Sequence, residues 1–228
     1  MNILDILFPK HCVGCGRLGR YFCPGCISAI QTINAPICPA CENLAIDGAT
    51  HPGCRTRYCL DGLTSFFRYD GVVRKAIKGI KYRLIFDLAV EFISLIPDVS
   101  FSRRTTLLSL KGQSSVLVPI PLHPSRLRER GFNQAEVLGK AITDKLNIPL
   151  RTDILLRVKR TIPQVEMKSK DARLKNMDGV FAVNQDDDSL GPVVLVDDVF
   201  TTGATMRAAA NTLKRIGAPF VWGITIAR

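Results

Sequence analysis

Beyond Cys59 the chain of 228 residues contains no cysteine, so whatever its eight thiols do is confined to the front of the sequence. No apolar run approaches the length of a membrane-spanning helix, so insertion into a bilayer is not expected. A Walker A loop is missing, and no GxGxxG fingerprint follows any strand-like run, which removes two common phosphate-cradling devices of α/β proteins. Internal repeats and low-complexity segments are missing too, apart from the paired halves of the cysteine-rich head. The leading MNILDILFPKH has no cationic residue ahead of its apolar ones, and Asp5 and Pro9 break it too early for a secretory core. That stretch reads as a short helix packed on the head, and a reducing cytoplasmic setting is expected.

What is present is densest in residues 193–205, VVLVDDVFTTGAT. The apolar run 193–196 suits a parallel strand covered on both faces. Asp197 and Asp198 arrive where that strand should end, and Thr201, Thr202, Gly203, Ala204 and Thr205 form a small-residue loop. From Ala204 an apolar rhythm at helical spacing begins, through Met206, Ala209, Leu213 and Ile216. Open α/β sheets bind ligands beyond the carboxyl ends of their strands, and free amides at a helix start attract phosphate. Two carboxylates beside such a loop repel phosphate, so they should face a neutral or cationic part of the same ligand. A ribose, whose ring becomes cationic when its anomeric bond breaks, meets that description.

The cysteines fall as Cys12-x2-Cys15, Cys23-x2-Cys26, Cys38-x2-Cys41, then Cys54 and Cys59. Repeated CxxC is the spacing at which a tight knuckle aims two thiolates at one tetrahedral zinc. Cys12, Cys15, Cys23 and Cys26 are expected to share one zinc. Cys38, Cys41, Cys54 and Cys59 form a looser second set, since Cys54 and Cys59 are too far apart for a standard knuckle. His11 adjoins Cys12 and His51 sits three residues before Cys54, so either could replace a cysteine as ligand, but with eight thiols available both are read as surface residues. The head, residues 1–61, is thus expected to be a double zinc-binding module, and residues 62–228 a second domain.

The net charge of +11 is uneven. The second domain carries nearly all of the surplus, concentrated at Arg126, Arg128 and Arg130 and again from Arg157 through Lys159, Arg160, Lys168, Lys170 and Arg173 to Lys175. Such runs suit a solvated face, a pyrophosphate, or a nucleic-acid backbone. Strands are expected at 62–69, 116–120, 154–158, 180–183, 193–196 and 220–227. Helices are expected at 72–81, 84–95 and 133–146 and from 204, and this alternation implies an α/β fold with a parallel sheet flanked by helices. The charged excursion 161–176 is long for a connection and suits a lid.

The acid-loop motif resembles the phosphoribosyl pyrophosphate (PRPP) signature of type I phosphoribosyltransferases. With LFPKHCVGCG at the start, VPIPLHPSRLRERGFNQA at 118–135, Thr161-x2-Gln164, Arg173-x2-Asn176 and the terminal Ala227-Arg228, nearly the whole chain resembles the ComF/GntX family of phosphoribosyltransferase-like proteins. The resemblance implies a type I phosphoribosyltransferase fold with an N-terminal zinc-ribbon-like finger. It implies that Asp197 and Asp198 grip the ribose hydroxyls and that Val199 and Thr201 to Thr205 surround the 5′-phosphate. It also implies that Arg126, Arg128 and Arg130 neutralise the pyrophosphate, with Mg²⁺ accompanying PRPP. It further implies a role in competence, with single-stranded DNA and a DNA-translocation helicase as partners. No motif for a purine or pyrimidine acceptor is present. Glycosyl transfer to an unidentified acceptor and PRPP sensing without turnover both stay open.

Overall fold

The computed structural model describes residues 9–82, 86–98, 100, 106, 109–110, 114–160, 179–184 and 190–228. Four parallel strands form its centre in the order β1-β6-β5-β2: β1 (Gly62–Phe67), β6 (Val221–Ala227), β5 (Val193–Val199) and β2 (Val116–Pro119). Every residue of β1 and β6 is buried. Covered on both faces, these strands show no alternation of buried and exposed residues.

Helices cover both faces. Along α2 (Gly71–Tyr82) the stripe Val73, Ala76, Ile77 and Ile80 turns inward. It packs with Leu88, Phe92 and Ile93 of α3 (Phe86–Ser94) and with Leu138, Ile142 and Leu146 of α5 (Gln134–Leu146) over Val194, Val196, Trp222 and Ile224 of the sheet. The opposite face, Val193, Leu195 and Val221, is covered by Met206, Ala209, Ala210 and Leu213 of α6 (Ala204–Arg215) together with Ile37 and Leu60 of the head. Burying each of these larger aliphatic side chains contributes about 1.5–3 kcal/mol.

Two expectations are corrected here. The strand-like runs near 155 and 181 do not join the parallel sheet: β3 (Leu155–Arg157) and β4 (Phe181–Val183) pair antiparallel as a separate two-stranded ribbon. The segment after β2, where no helix was expected, forms helix α4 at Pro124–Arg130. Pro124 at its first turn has a suitable φ and no amide to leave unpaired, and the His123 side chain caps it by accepting from the Ser125 amide at 3.2 Å. Asn133 then caps α5, its Oδ1 accepting from the Ala135 amide at 3.1 Å while its Nδ2 donates to the Ile120 carbonyl at 3.1 Å. Those bonds assign Asn133 to the scaffold.

The head, which carries the short helix α1 (Pro24–Ile27), is joined to the sheet by backbone. The Ile33 amide donates to the Phe66 carbonyl at 2.7 Å, and the Arg68 amide to the Gln31 carbonyl at 2.9 Å. Asp61 closes the other side: its carboxylate accepts from the Val221 amide at 2.7 Å and from Lys214 at 2.7 Å.

Candidate functional site

Strand β5 does not stop before its acids. It runs on to Val199 because β6 continues to Ala227 and offers ladder partners, Thr225 opposite Asp197 and Ala227 opposite Val199. Side chains alternate along a strand, so the two carboxylates leave on opposite faces. Asp198 points to the α2 side, is buried, and meets the Lys81 ammonium at 2.6 Å. Asp197 is half-buried on the α6 side, and its Oδ1 accepts from the Asp198 amide at 2.8 Å. Burial, and next the charge of Asp198, push the Asp197 carboxyl up to about 7. Burial draws Lys81 down, but attraction to Asp198 and more weakly to Asp197 outweighs it, and the ammonium is held above its usual value.

Past β5 the chain turns through Thr201 and Thr202 to Gly203, which caps α6 in the left-handed region at φ 70°. A Cβ on Gly203 would lie 2.4 Å from the Phe200 ring, so glycine is required twice over, by backbone and by space. The Thr202 hydroxyl is buried without a hydrogen-bond partner. Unpaired donors of this kind beside the free amides of a helix N-terminus favour an anion with several acceptor oxygens.

The arginines of α4 are divided. Arg126 and Arg130 are half-buried and Arg128 is exposed. Arg130 donates through Nη1 to the Gln134 side chain and lies over the Tyr82 ring, 5.8 Å from its centre. Burial draws the Arg157 guanidinium of β3 down, the charge of Arg126 adds to this, and Asp197 opposes it, so the three groups share one electrostatic neighbourhood. Alongside lies a mainly apolar cavity of about 480 Å³ bordered by Pro121, His123, Leu127 and Arg157.

The head contains two four-donor clusters. In each, one ligand atom per residue lies within 4.8 Å of all the others: Cys12, Cys15, Cys23 and Cys26, then Cys38, Cys41, His51 and Cys54. A tetrahedral zinc with Zn–S near 2.3 Å requires S···S separations of about 3.8 Å. Cys15 Sγ and Cys23 Sγ are 3.7 Å apart. In the second cluster the Cys41 Sγ to His51 Nδ1 distance is 3.4 Å, and the other ring nitrogen lies 2.9 Å from the Leu44 carbonyl. That carbonyl accepts the Nε2 proton, which leaves the Nδ1 lone pair for a metal. His51 therefore stands where Cys59 was expected, and Cys59 falls outside the set: the 3₁₀ turn Pro52–Cys54 folds His51 and Cys54 to the same side.

Protons are distributed unevenly over both sets. Burial raises Cys12, but backbone hydrogen bonds from Cys23, Cys15 and Gly14 prevail and bring it to about 6; hydrogen bonding to Cys12 and Cys23 raises Cys26 to about 12. The second set repeats this, with Cys38 at about 7 through backbone bonds that overcome burial, and Cys54 raised to about 11 chiefly by its hydrogen bond to Cys41. One proton-poor and one proton-holding thiol per set is what closely packed thiols sharing protons produce, and a metal ion bound there would displace the protons that remain.

The double zinc ribbon domain family matches residues 3–61. Competence protein F of Haemophilus influenzae is 29% identical over 222 residues, which cover 94% of this chain and 94% of that protein. Over most of its length the chain is similar to ComF-type competence proteins. Competence protein ComFC of Bacillus subtilis is 28% identical over 210 residues, covering 86% of this chain and 78% of that protein. The DNA utilization protein YhgH of Escherichia coli is 29% identical over 217 residues, covering 90% and 89%. The head of the chain is a zinc-binding double ribbon.

Among the sequence-derived residues, Asp197, Asp198, Val199 and residues 201–205 lie together at the carboxyl end of β5. Arg126 shares their neighbourhood through Arg157 and Asp197. Lys81 was missed, although its place four residues after the inward Ile77 sets it at the edge of the buried stripe, where a lysine needs a partner. Residues 161–176, with Lys168, Lys170 and Arg173, and also Lys175, lie outside the described residues.

Proposed function

We propose that this ComF-type chain binds PRPP at the carboxyl end of β5 and acts in DNA uptake, handling incoming single-stranded DNA. The single observation that carries the ligand is the juxtaposition at that end: two carboxylates, one held up to about 7, followed directly by a Gly203-capped helix start with an unpartnered buried threonine hydroxyl. The role in DNA uptake rests on the names borne by its relatives, competence proteins F and ComFC and the DNA utilization protein YhgH.

In this reading residues 62–228 form the ligand-binding unit and residues 1–61 its zinc-held buttress. Asp197 accepts from the ribose hydroxyls and, ionised, stabilises positive charge developing on the ring, an electrostatic role fixed before the bond breaks. Residues 201–205 hold the 5′-phosphate with amides and hydroxyls. Arg126, with Arg130, faces the pyrophosphate, while exposed Arg128 contributes longer-range attraction. Mg²⁺ accompanying PRPP would take its ligands mainly from PRPP oxygens and water. Glycosyl transfer is the reaction this arrangement supports, with the acceptor left to experiment.

A calorimetric titration of PRPP into the zinc-loaded protein, with and without Mg²⁺, tests the reading. Saturable binding that strengthens with Mg²⁺ is expected. A flat titration at millimolar PRPP overturns it.

A further inference from the structure

One guanidinium joins the second zinc set to the proposed phosphate loop. Arg207 lies one turn into α6, its amide bonded to the Gly203 carbonyl at 2.9 Å. Its Nη2 donates to the Thr202 carbonyl inside the loop. Its Nη1 donates to the carbonyls of Pro39 and Ala40 at 3.4 and 3.3 Å. Pro39 and Ala40 are the two residues between Cys38 and Cys41, so the far end of the guanidinium grips the backbone of a metal knuckle. The side chain is partly desolvated: burial draws it down while the negative charges of Glu42 and Cys38 hold it up. A Cys3His zinc set keeps a net charge of −1, three thiolates against one dication, which attracts the same cation.

We infer that Arg207 is a positioning residue for the phosphate loop, and that the second zinc set governs it by fixing the knuckle carbonyls to which Arg207 is anchored. Arg207 is rigid enough to hold Thr202 only while its other end is held, because a free arginine side chain carries roughly 2 kcal/mol of rotamer entropy. Without zinc at Cys38, Cys41, His51 and Cys54, the Pro39–Ala40 turn loses its fixed place, Arg207 loses two acceptors and a nearby negative charge, and the loop loses its brace. Ligand affinity is thereby linked to occupancy of the second zinc set. By reciprocity, phosphate bound at the loop slows loss of the second zinc. The functional consequence rests on the proposed phosphate site, whereas the mechanical link does not.

The test uses full-length protein as wild type, Arg207→Met, His51→Ala and the double variant. Three quantities are read: zinc content, deuterium exchange of the backbone amides at 201–205, and affinity for ribose 5-phosphate. Arg207→Met should keep its zinc at equilibrium, exchange these amides about tenfold faster, bind ribose 5-phosphate about tenfold more weakly, and yield its second zinc faster to a chromogenic chelator; charge-assisted hydrogen bonds of this kind account for a change of that order. His51→Ala should lose one zinc and show the same loop changes, and the double variant should add nothing further. Unchanged loop exchange in Arg207→Met, or effects of the two substitutions that sum, overturns the link. If His51→Ala fails to fold, the chelator kinetics and exchange of Arg207→Met decide alone. Wild-type protein that shows the exchange coupling but does not bind ribose 5-phosphate refutes the phosphate site and leaves the link standing.

Discussion

The two adjacent acids should respond oppositely to amidation, although sequence alone treats them as a matched pair. Asp198→Asn deletes the partner of Lys81, whose side chain is 25% exposed beside an Asp198 side chain that is 7% exposed. Removing one member of a buried pair costs about 3–5 kcal/mol, and partial solvent access of the lysine brings the expected loss to about 2–3 kcal/mol. Asp197→Asn keeps that pair and removes a carboxylate that folding disfavours. Its folded value, about 7, lies above the ordinary 3.8, so its contribution is intact at acidic pH and is lost as pH rises from 3.8 toward 7. Full conversion of that shift gives a ceiling of about 4 kcal/mol, and partial solvent access of the side chain reduces it to on the order of 1–2 kcal/mol. Above neutral pH, Asp197→Asn should therefore be more stable than wild type by that amount, and the gain should shrink toward about pH 5. Urea unfolding of zinc-loaded proteins, followed by the fluorescence of buried Trp222, measures both. Equal destabilisation by the two substitutions, or an Asp197→Asn gain that does not depend on pH, would refute the reasoning.

Zinc analysis should return two ions per chain for wild type and for Cys59→Ser but one for His51→Ala; a Cys59→Ser protein that loses an ion contradicts the second donor set. Thr64→Val should lose about 1–3 kcal/mol in urea melts, because the Trp222 indole nitrogen, which donates to Thr64 Oγ1 at 3.0 Å, would be left buried without an acceptor; unaltered stability would count against that bond. Single-stranded DNA should bind with a steep salt dependence, and neutralising Lys168, Lys170, Arg173 and Lys175 should flatten the slope of log affinity against log salt. An unchanged slope leaves that run as a solvated face.

What was legible in the sequence followed from short-range rules. The apolar run 193–196, the inward stripe of α2 and the CxxC knuckles each carry their geometry in their spacing. What was not legible depended on distant neighbours. Strand β5 passes through its acids because β6 extends to Ala227, and the alternation this imposes sends Asp198 to Lys81 while Asp197 leaves on the opposite face. Cys59 yields to His51 because a single 3₁₀ turn decides which side chains converge, and nothing in ligand spacing distinguishes the two. The antiparallel pairing of β3 with β4 lies outside any local pattern, since both runs are too short for periodicity to reveal their partner.

The most direct test of the account is Mg²⁺-PRPP binding to Asp197→Asn, since that variant keeps the Lys81–Asp198 pair and should remain folded. Titration calorimetry on wild type and variant, with both zinc ions confirmed, separates a ligand carboxylate from a structural one. The account predicts saturable binding by wild type and a loss of at least about tenfold in Asp197→Asn at undiminished stability. An Asp197→Asn protein that binds Mg²⁺-PRPP as tightly as wild type would contradict it.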